Sequence, residues 1–485
     1  MNRQIRRLGI TMLVIYGALF VQLNVVQVFK ADEYRENPAN RREILRDFGK
    51  PRGQILAADG TVLARSVPDV GSFPFRREYP TGDLFAHITG YYSFSFGSEG
   101  VERSYNDDLA GRTGKVTVDG LAELLVDEER TADVTLTLSP AVQQAAKDAL
   151  GDRRGSVVAI DPRTGALLAM WSNPSFDPNA VSINNQEAAG AARTSLLGDP
   201  AKPMLAHAYR ETYFPGSTFK VVTAAAGLTA GKVTLDEPVY PTSAGYVPPL
   251  TNLPIRNFAN GSCGGSLLLI LQVSCNTAFA QMGVDIGAEA LVSTTKAFGF
   301  GEVPPIDLPN AAAATTADVA FFDRNTPLLA QTAIGQNTVR ATPLEMALVA
   351  GAIANSGIIM TPHVMAEIRD NDARVIDRWE PRPWRRAVEP AVATTLRDAM
   401  INVVARGTAT RLAVPGVPTA GKTGTAQIGN GLSHAWIIGF APADAPRVAI
   451  AVIVNGQEGA SEQTGGRVAA PIGQAVLSAA LAVTP

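Results

Sequence analysis

The sequence predicts an α+β fold: one antiparallel sheet completed by the C-terminus, with helices on both faces, behind a small N-terminal module and a single transmembrane helix. Three observations predict it. Two apolar runs, 155–160 and 166–171, are separated by Asp161-Pro162-Arg163-Thr164-Gly165, which reads as strand, tight turn, strand. The middle of the chain, about 205–410, is richer in Ala, Leu and Gln and reads mainly as helices. Strands then return at 420–427, 435–440 and 447–454, with a last helix at about 468–481. Strands at both ends around a helical middle suit a sheet covered on both sides.

The chain has 485 residues, enough for two or three domains. Apolar residues make up 46 %, ample for a large packed core. With 18 % charged residues and a net charge of −3, nothing marks a nucleic-acid partner or a disordered chain. The two cysteines and four histidines form no cluster with metal-ligand spacing, so neither a metal nor a cofactor is expected.

The first thirty residues set the compartment. Arg3, Arg6 and Arg7 precede an uncharged stretch, 8–29, long enough to cross a bilayer as a helix. Gln22, Asn24 and Gln27 sit in its second half, towards one interface. Basic residues before the span keep residues 1–7 cytoplasmic and export the rest. A cleaved signal peptide is the rival, but no small-x-small cleavage site follows the apolar core, which favours an uncleaved anchor. No second stretch of that length appears, and 472–483 reads as a buried terminal helix.

Residues 31–130 are more polar and rich in turn signals, and read as a small, mixed, non-catalytic module. Pro51-Arg52-Gly53 and Asp59-Gly60 bracket a short strand at 54–56, and 100–111 reads as a loop-rich patch. A regular domain, 131–485, opens with an extended segment at 134–138. Ser139 then caps a helix that Pro140 starts and Gly151 stops.

Three motifs could carry chemistry. In the first, Ser217-Thr218-Phe219-Lys220 follows Pro215-Gly216, so Ser217 sits at a helix N-terminus with Lys220 on the same face. A serine hydroxyl needs a neighbour to take its proton, and a lysine of lowered pKa can do so. The helix N-terminus suits a developing oxyanion. In the second, Ser274-Cys275-Asn276, the serine could relay a proton and the asparagine could hold a lysine amine and a substrate carbonyl. In the third, Lys422-Thr423-Gly424-Thr425 lies on a predicted strand whose small residues let a substrate backbone add as a further strand. Lys422 and the two hydroxyls could bind a carboxylate, and the Thr425 N–H could join that of Ser217 in an oxyanion hole. Alone, each has an ordinary structural reading: a capping serine, a helix break, an edge strand with a solvated lysine. Together, in this order and these contexts, they match the serine β-lactamases and penicillin-binding proteins.

Over nearly its whole length the sequence resembles the class B penicillin-binding proteins, and within them the actinobacterial penicillin-binding protein A group. Gly100-Val101-Glu102-Arg103-Ser104-Tyr105-Asn106 and Arg52-Gly53-Gln54-Ile55 resemble the family's pedestal motifs, though Ala57 and Ala58 replace a usual polar pair. The run Asn173 to Asn179 resembles the opening of the transpeptidase domain. Ala333-Ile334-Gly335-Gln336 resembles the start of a later helix, with Asn337 where glycine is usual. His434-Ala435-Trp436 resembles the strand pair after the lysine motif, and on this resemblance His434 is structural.

The resemblance implies a five-stranded antiparallel sheet flanked by helices, as in serine β-lactamases and transpeptidases. It implies a peptidoglycan D,D-transpeptidase with a D-Ala-D-Ala stem peptide as donor and an amine as acceptor, working in cell-wall synthesis at division. Catalysis falls to Ser217, Lys220, Ser274, Asn276 and Lys422, and substrate binding to Thr423, Gly424 and Thr425. β-Lactams should acylate Ser217. Partners are the stem peptides, β-lactams, the membrane and other cell-wall or division proteins. Only about 100 residues separate the anchor from the catalytic domain, which argues against a bifunctional glycosyltransferase. The alternatives are a D,D-carboxypeptidase or β-lactamase-like hydrolase, and a penicillin sensor or division scaffold. No Glu-x-x-x-Asn loop follows the second motif, against a class A β-lactamase, and the anchor and pedestal favour a transferase over a hydrolase. About seven residues precede the anchor, too few for a sensor's signalling part, and no motif residue is lost as an inactive scaffold would be expected to show. In an exported domain Cys263 and Cys275 can bridge and tether the loop carrying Ser274 and Asn276; two small buried thiols are the alternative.

Overall fold

The computed structural model describes residues 2–26, 30, 47–112, 131–429, 431–456 and 464–484. The parts of the expected anchor at 27–29 and of the expected N-terminal module at 31–46 and 113–130 lie outside them. Helix α1 (Asn2–Asn24) is apolar, and its window from Arg3 to Asn24 is 0 % buried against the rest of the chain. That length and composition suit a bilayer span.

The N-terminal module is built on β1 (Ile55–Leu56), β2 (Val62–Pro68) and β3 (Phe75–Glu78). Ile55, Leu63 and Ala64 are fully buried. Glu102 is buried between two arginines, accepting from Arg52 Nε at 2.7 Å and Arg77 Nε at 2.6 Å. Burial alone would raise its pKa, but the two guanidiniums hold it below the ordinary carboxylate value. The stretch expected to be loop-rich forms two short helices, Gly100–Ser104 and Asn106–Leu109. Val101 and Leu109 fold into the core there, and the arginine pair satisfies Glu102.

Strand β4 (Asp133–Leu136) runs parallel to β1, and helix α2 (Pro140–Leu150) follows. Pro140 opens this helix and Gly151, at φ +60°, closes it, as expected, but the Ser139 side chain makes no capping bond. Strands β5 (Gly155–Ile160) and β6 (Leu167–Asn173) form the predicted hairpin. The helices that follow include α3 (Lys220–Thr229), α4 (Leu267–Gln272), α5 (Asn276–Ile286), α6 (Pro343–Ala354) and, beyond a β-hairpin, α7 (Pro390–Arg406). That hairpin is β7 (Met365–Arg369) and β8 (Val375–Arg378). Strands β9 (Ala420–Gly429), β10 (Leu432–Ala441) and β11 (Val448–Val454) and helix α8 (Ala470–Val483) complete the chain.

The main sheet has the order β9-β10-β11-β5-β6 and is antiparallel throughout. Its five strands are the predicted ones. Successive residues of β11 show that both faces are covered. Ala449 meets α6 at Gly351, and Ile450 meets α8 at Gly473. The helical stretch Gly465–Val483, which ends in α8, is long and apolar enough to cross a membrane, yet Ile472, Val476, Leu477 and Ala480 are buried on this sheet.

The middle of the chain is less helical than expected. The hairpin β7-β8 leaves it to extend the N-terminal sheet, in the order β8-β7-β4-β1-β2-β3. Met365 and Ile368 supply the buried contacts, while Glu367 bonds to Arg369 and Arg378 on the outer side. Such an ion-paired strand carries too few apolar residues to show a period-2 pattern.

Candidate active site

The sequence places Pro215-Gly216 ahead of a buried apolar helix, and the result is a tight corner. Residues Gly216–Phe219 make a 3-10 turn that runs directly into α3. Gly216 has φ +53°, and a Cβ on it would stand 2.8 Å from the Thr425 carbonyl oxygen. Its N–H donates to Gly335 O at 2.9 Å. A Cβ on Gly335 would come within 2.0 Å of Gly216 O, so the close approach requires glycine. The Ser217 turn is therefore clamped between β9 and the Gly335 turn. Among the described residues the Ser217 hydroxyl has no hydrogen-bond partner.

Lys220 opens α3, whose residues 220–227 are all buried, and its side chain is 0 % exposed. Its Nζ donates to Ser274 O at 2.7 Å and to Asn276 Oδ1 at 2.7 Å, and lies 3.3 Å from Ser274 Oγ. Burial, reinforced by the charge of Lys422, holds its pKa well below the ordinary lysine value. A neutral amine has two N–H groups and one lone pair. If Lys220 is in this form, the two carbonyl oxygens engage both N–H groups and the lone pair is left to accept a proton.

Lys422 is also fully buried, on the edge strand β9. Its Nζ donates to Ser274 Oγ at 2.8 Å and to Thr423 O at 2.9 Å. Burial pushes its pKa down to about 7. Gly421 and Gly424 leave no room for side chains beside it: a Cβ would meet Leu412 at 2.3 Å or Thr218 at 2.9 Å. Thr423 pairs its hydroxyl with that of Thr408 at 2.6 Å, and Thr425 is partly exposed on the same strand.

Ser274 joins the two amines. It sits at the reversal between α4 and α5 with φ +59°, an uncommon conformation for a residue with a side chain. Cys263 and Cys275 are joined by a disulfide, which ties this reversal to the short strand Cys263–Gly265 ahead of α4. Asn257 lies beneath it, accepting from the N–H groups of Asn276 at 2.9 Å and Thr277 at 3.0 Å.

Lys220, Ser274, Asn276 and Lys422 thus share one hydrogen-bonded network, and Ser217 and Thr425 border it through the Gly216 corner. Asn257, Thr408 and the clamping role of Gly335 are not evident from sequence. Each acts through tertiary contacts, and only Gly335 lies in a recognisable motif. His434 stands apart: its Nδ1 accepts from Gly456 N, its ring meets Tyr213 edge-on, and burial lowers its pKa to about 4. Asn337 adopts the left-handed conformation at φ +65° that glycine would otherwise supply. Among the described residues no group of three or more His, Cys, Asp or Glu is placed to hold a metal ion.

Comparison with known proteins finds the same plan. Residues 155–478 match the family described as penicillin binding protein transpeptidase domain, and 52–134 match the penicillin binding protein A dimerisation domain. The chain is 40 % identical over 496 residues to the peptidoglycan D,D-transpeptidase PbpA of Mycolicibacterium smegmatis, covering 99 % of each. It is 38 % identical to the protein of that name from Mycobacterium tuberculosis, covering 100 % of each chain. The penicillin G acyl-enzyme structure of penicillin-binding protein A from M. tuberculosis superposes with a TM-score of 0.82 at 38 % identity, covering 89 % of this chain and 100 % of that one.

Proposed function

Because the chain belongs to the penicillin-binding protein transpeptidase family, we propose that it is a membrane-anchored peptidoglycan D,D-transpeptidase working through an acyl-enzyme on Ser217. The observation that carries the assignment is the Ser274 hydroxyl, held 2.8 Å from one buried amine and 3.3 Å from another. Such a group can pass a proton between the two halves of an acyl transfer.

In the first half-reaction the lone pair of Lys220 takes the Ser217 proton. Ser217 Oγ attacks the carbonyl of the penultimate D-Ala of a stem peptide. The N–H groups of Ser217 and Thr425 hold the oxyanion. The C–N bond breaks, and the departing D-Ala nitrogen receives a proton through Ser274, with Lys422 supporting the relay. Lys422, Thr423 and Thr425 bind the terminal carboxylate, while the peptide lies along the free edge of β9. Gly424 keeps that edge open, and Asn276 orients both Lys220 and the peptide. In the second half-reaction an amine of another stem peptide attacks the ester, Ser217 recovers its proton and a cross-link forms. A β-lactam acylates Ser217 in the same way, but its leaving group stays attached and blocks the acceptor.

Helix α1 anchors the protein, with Arg3, Arg6 and Arg7 on the cytoplasmic side and the catalytic domain outside. Residues 31–130 act as the non-catalytic pedestal and 131–485 as the transpeptidase domain, at division sites with other cell-wall proteins.

The test uses the full chain in detergent, a donor ending in D-Ala-D-Ala and an amine acceptor. Released D-Ala should be matched by cross-linked product. Release matched only by hydrolysed donor would assign a carboxypeptidase, and no release would end the proposal.

A further inference from the structure

The helix that carries Asn276 lacks a cap of its own. Its first N–H groups need acceptors, which Ser, Thr, Asp or Asn at the preceding position usually supplies. Here that position is Cys275, whose sulfur is committed to the disulfide and whose side chain makes no capping bond. The acceptor comes instead from Asn257, 19 residues before Asn276. We infer that Asn257 is a positioning residue for catalysis: it caps α5 from a distance and thereby fixes Asn276 against Lys220. This inference rests on Ser217 being the acylated residue.

Every hydrogen-bonding site of the Asn257 amide is engaged. Oδ1 accepts from Asn276 N at 2.9 Å and Thr277 N at 3.0 Å. Nδ2 donates to Ser243 O at 2.8 Å and Gly261 O at 3.0 Å, with Thr277 Oγ1 at 3.3 Å. The amide has one working orientation, because a flip would face donors with donors and acceptors with acceptors. The residue is 8 % exposed, so water cannot readily replace these partners.

The neighbouring residue closes the circuit. Arg256 O accepts from Asn276 Nδ2 at 3.0 Å, which aims the other end of that amide, Oδ1, at Lys220 Nζ, 2.7 Å away. Two consecutive residues, 256 and 257, thus hold both the backbone and the side chain of Asn276. Asn276 in turn engages one of the two N–H groups of neutral Lys220. Loss of the cap lets Asn276 drift, and the Lys220 lone pair loses its fixed direction. Misplacing a catalytic group by about 1 Å can cost about 100-fold in rate.

Asn257→Ala removes all these bonds. Asn257→Asp keeps both acceptor bonds but loses the donors and sets a carboxylate oxygen against two carbonyls. Both variants should melt below the native protein. Their acylation should separate: fluorescent-penicillin kinetics should show Ala at least about tenfold slower than native, and Asp within about threefold of native. Thermal melts and active-site titration normalise the rates to folded protein. Should Ala fail to fold, Asn257→Gln, which displaces the amide by one methylene, takes its place with the same expected loss. Ala or Gln acylating within threefold of native overturns the inference. So does Asp slowing in step with its stability loss. Failure of the native protein to acylate at Ser217 overturns the underlying assignment instead.

Discussion

Replacing Lys220 by methionine should separate catalysis from folding. The substitution keeps length and apolar stem but removes the lone pair that takes the Ser217 proton. A positioned general base contributes about 10²- to 10⁴-fold in rate, or roughly 3–5 kcal/mol of barrier. The stability terms oppose each other. Ser274 O and Asn276 Oδ1 each lose a donor, at about 1–3 kcal/mol apiece. Against that, burial holds the native amine's pKa well below the unfolded value, which costs stability wherever the unfolded chain binds a proton that the native amine has released. Deleting the amine removes that penalty. The expected outcome is a melting temperature close to native beside an acylation constant lower by about 10²-fold or more. Stopped-flow acylation by a chromogenic cephalosporin, with calorimetry on the same samples, checks both. Acylation within tenfold of native would refute the assignment of Lys220 as base.

Three further outcomes follow from the same geometry. Lys422→Met removes the charge that helps to depress the Lys220 pKa, so Lys220 should titrate higher and the acid limb of the acylation profile should move to higher pH; an unmoved or lowered limb contradicts the coupling. Glu345, buried on α6 with neither carboxylate oxygen hydrogen-bonded among the described residues, has its pKa pushed up by burial to about 8. The native state holds a proton that the unfolded chain releases above its ordinary value, so stability falls as pH rises towards 8, by on the order of 4 kcal/mol at pH 7.5; in Glu345→Gln, denaturant melts should show that slope flattened, and an unchanged slope would point to other groups. Breaking the Cys263–Cys275 bridge, which closes a separation of 12 residues, should cost about 3 kcal/mol of unfolding free energy. Acylation should suffer less than in Asn257→Ala, because the Asn257 bonds remain; urea melts and penicillin kinetics with and without reductant report both.

How much was legible from sequence depends on how local each feature is. The strand-turn-strand at 155–171 carries its own turn residues and two apolar runs, and it stands where expected. Ser217 and Lys220 are three apart on one turn, so their common face follows from helix geometry alone. That Lys220, Ser274 and Lys422 meet could be expected only from family resemblance, since no local pattern brings together residues 54 and 148 positions apart. The strand at Met365–Arg369 was hidden because its partners, β4 and β8, satisfy a mixture of buried and ion-paired side chains. Asn257 left no signal, because an asparagine capping a helix across 19 residues looks in sequence like any loop asparagine.

The measurement that bears most directly on the central claim is intact-protein and peptide mass spectrometry after brief exposure to penicillin G. The account predicts one adduct of the mass of the whole antibiotic, held as an ester on the peptide containing Ser217, and none in Ser217→Ala. An adduct on another residue, or equal labelling of both proteins, would contradict it.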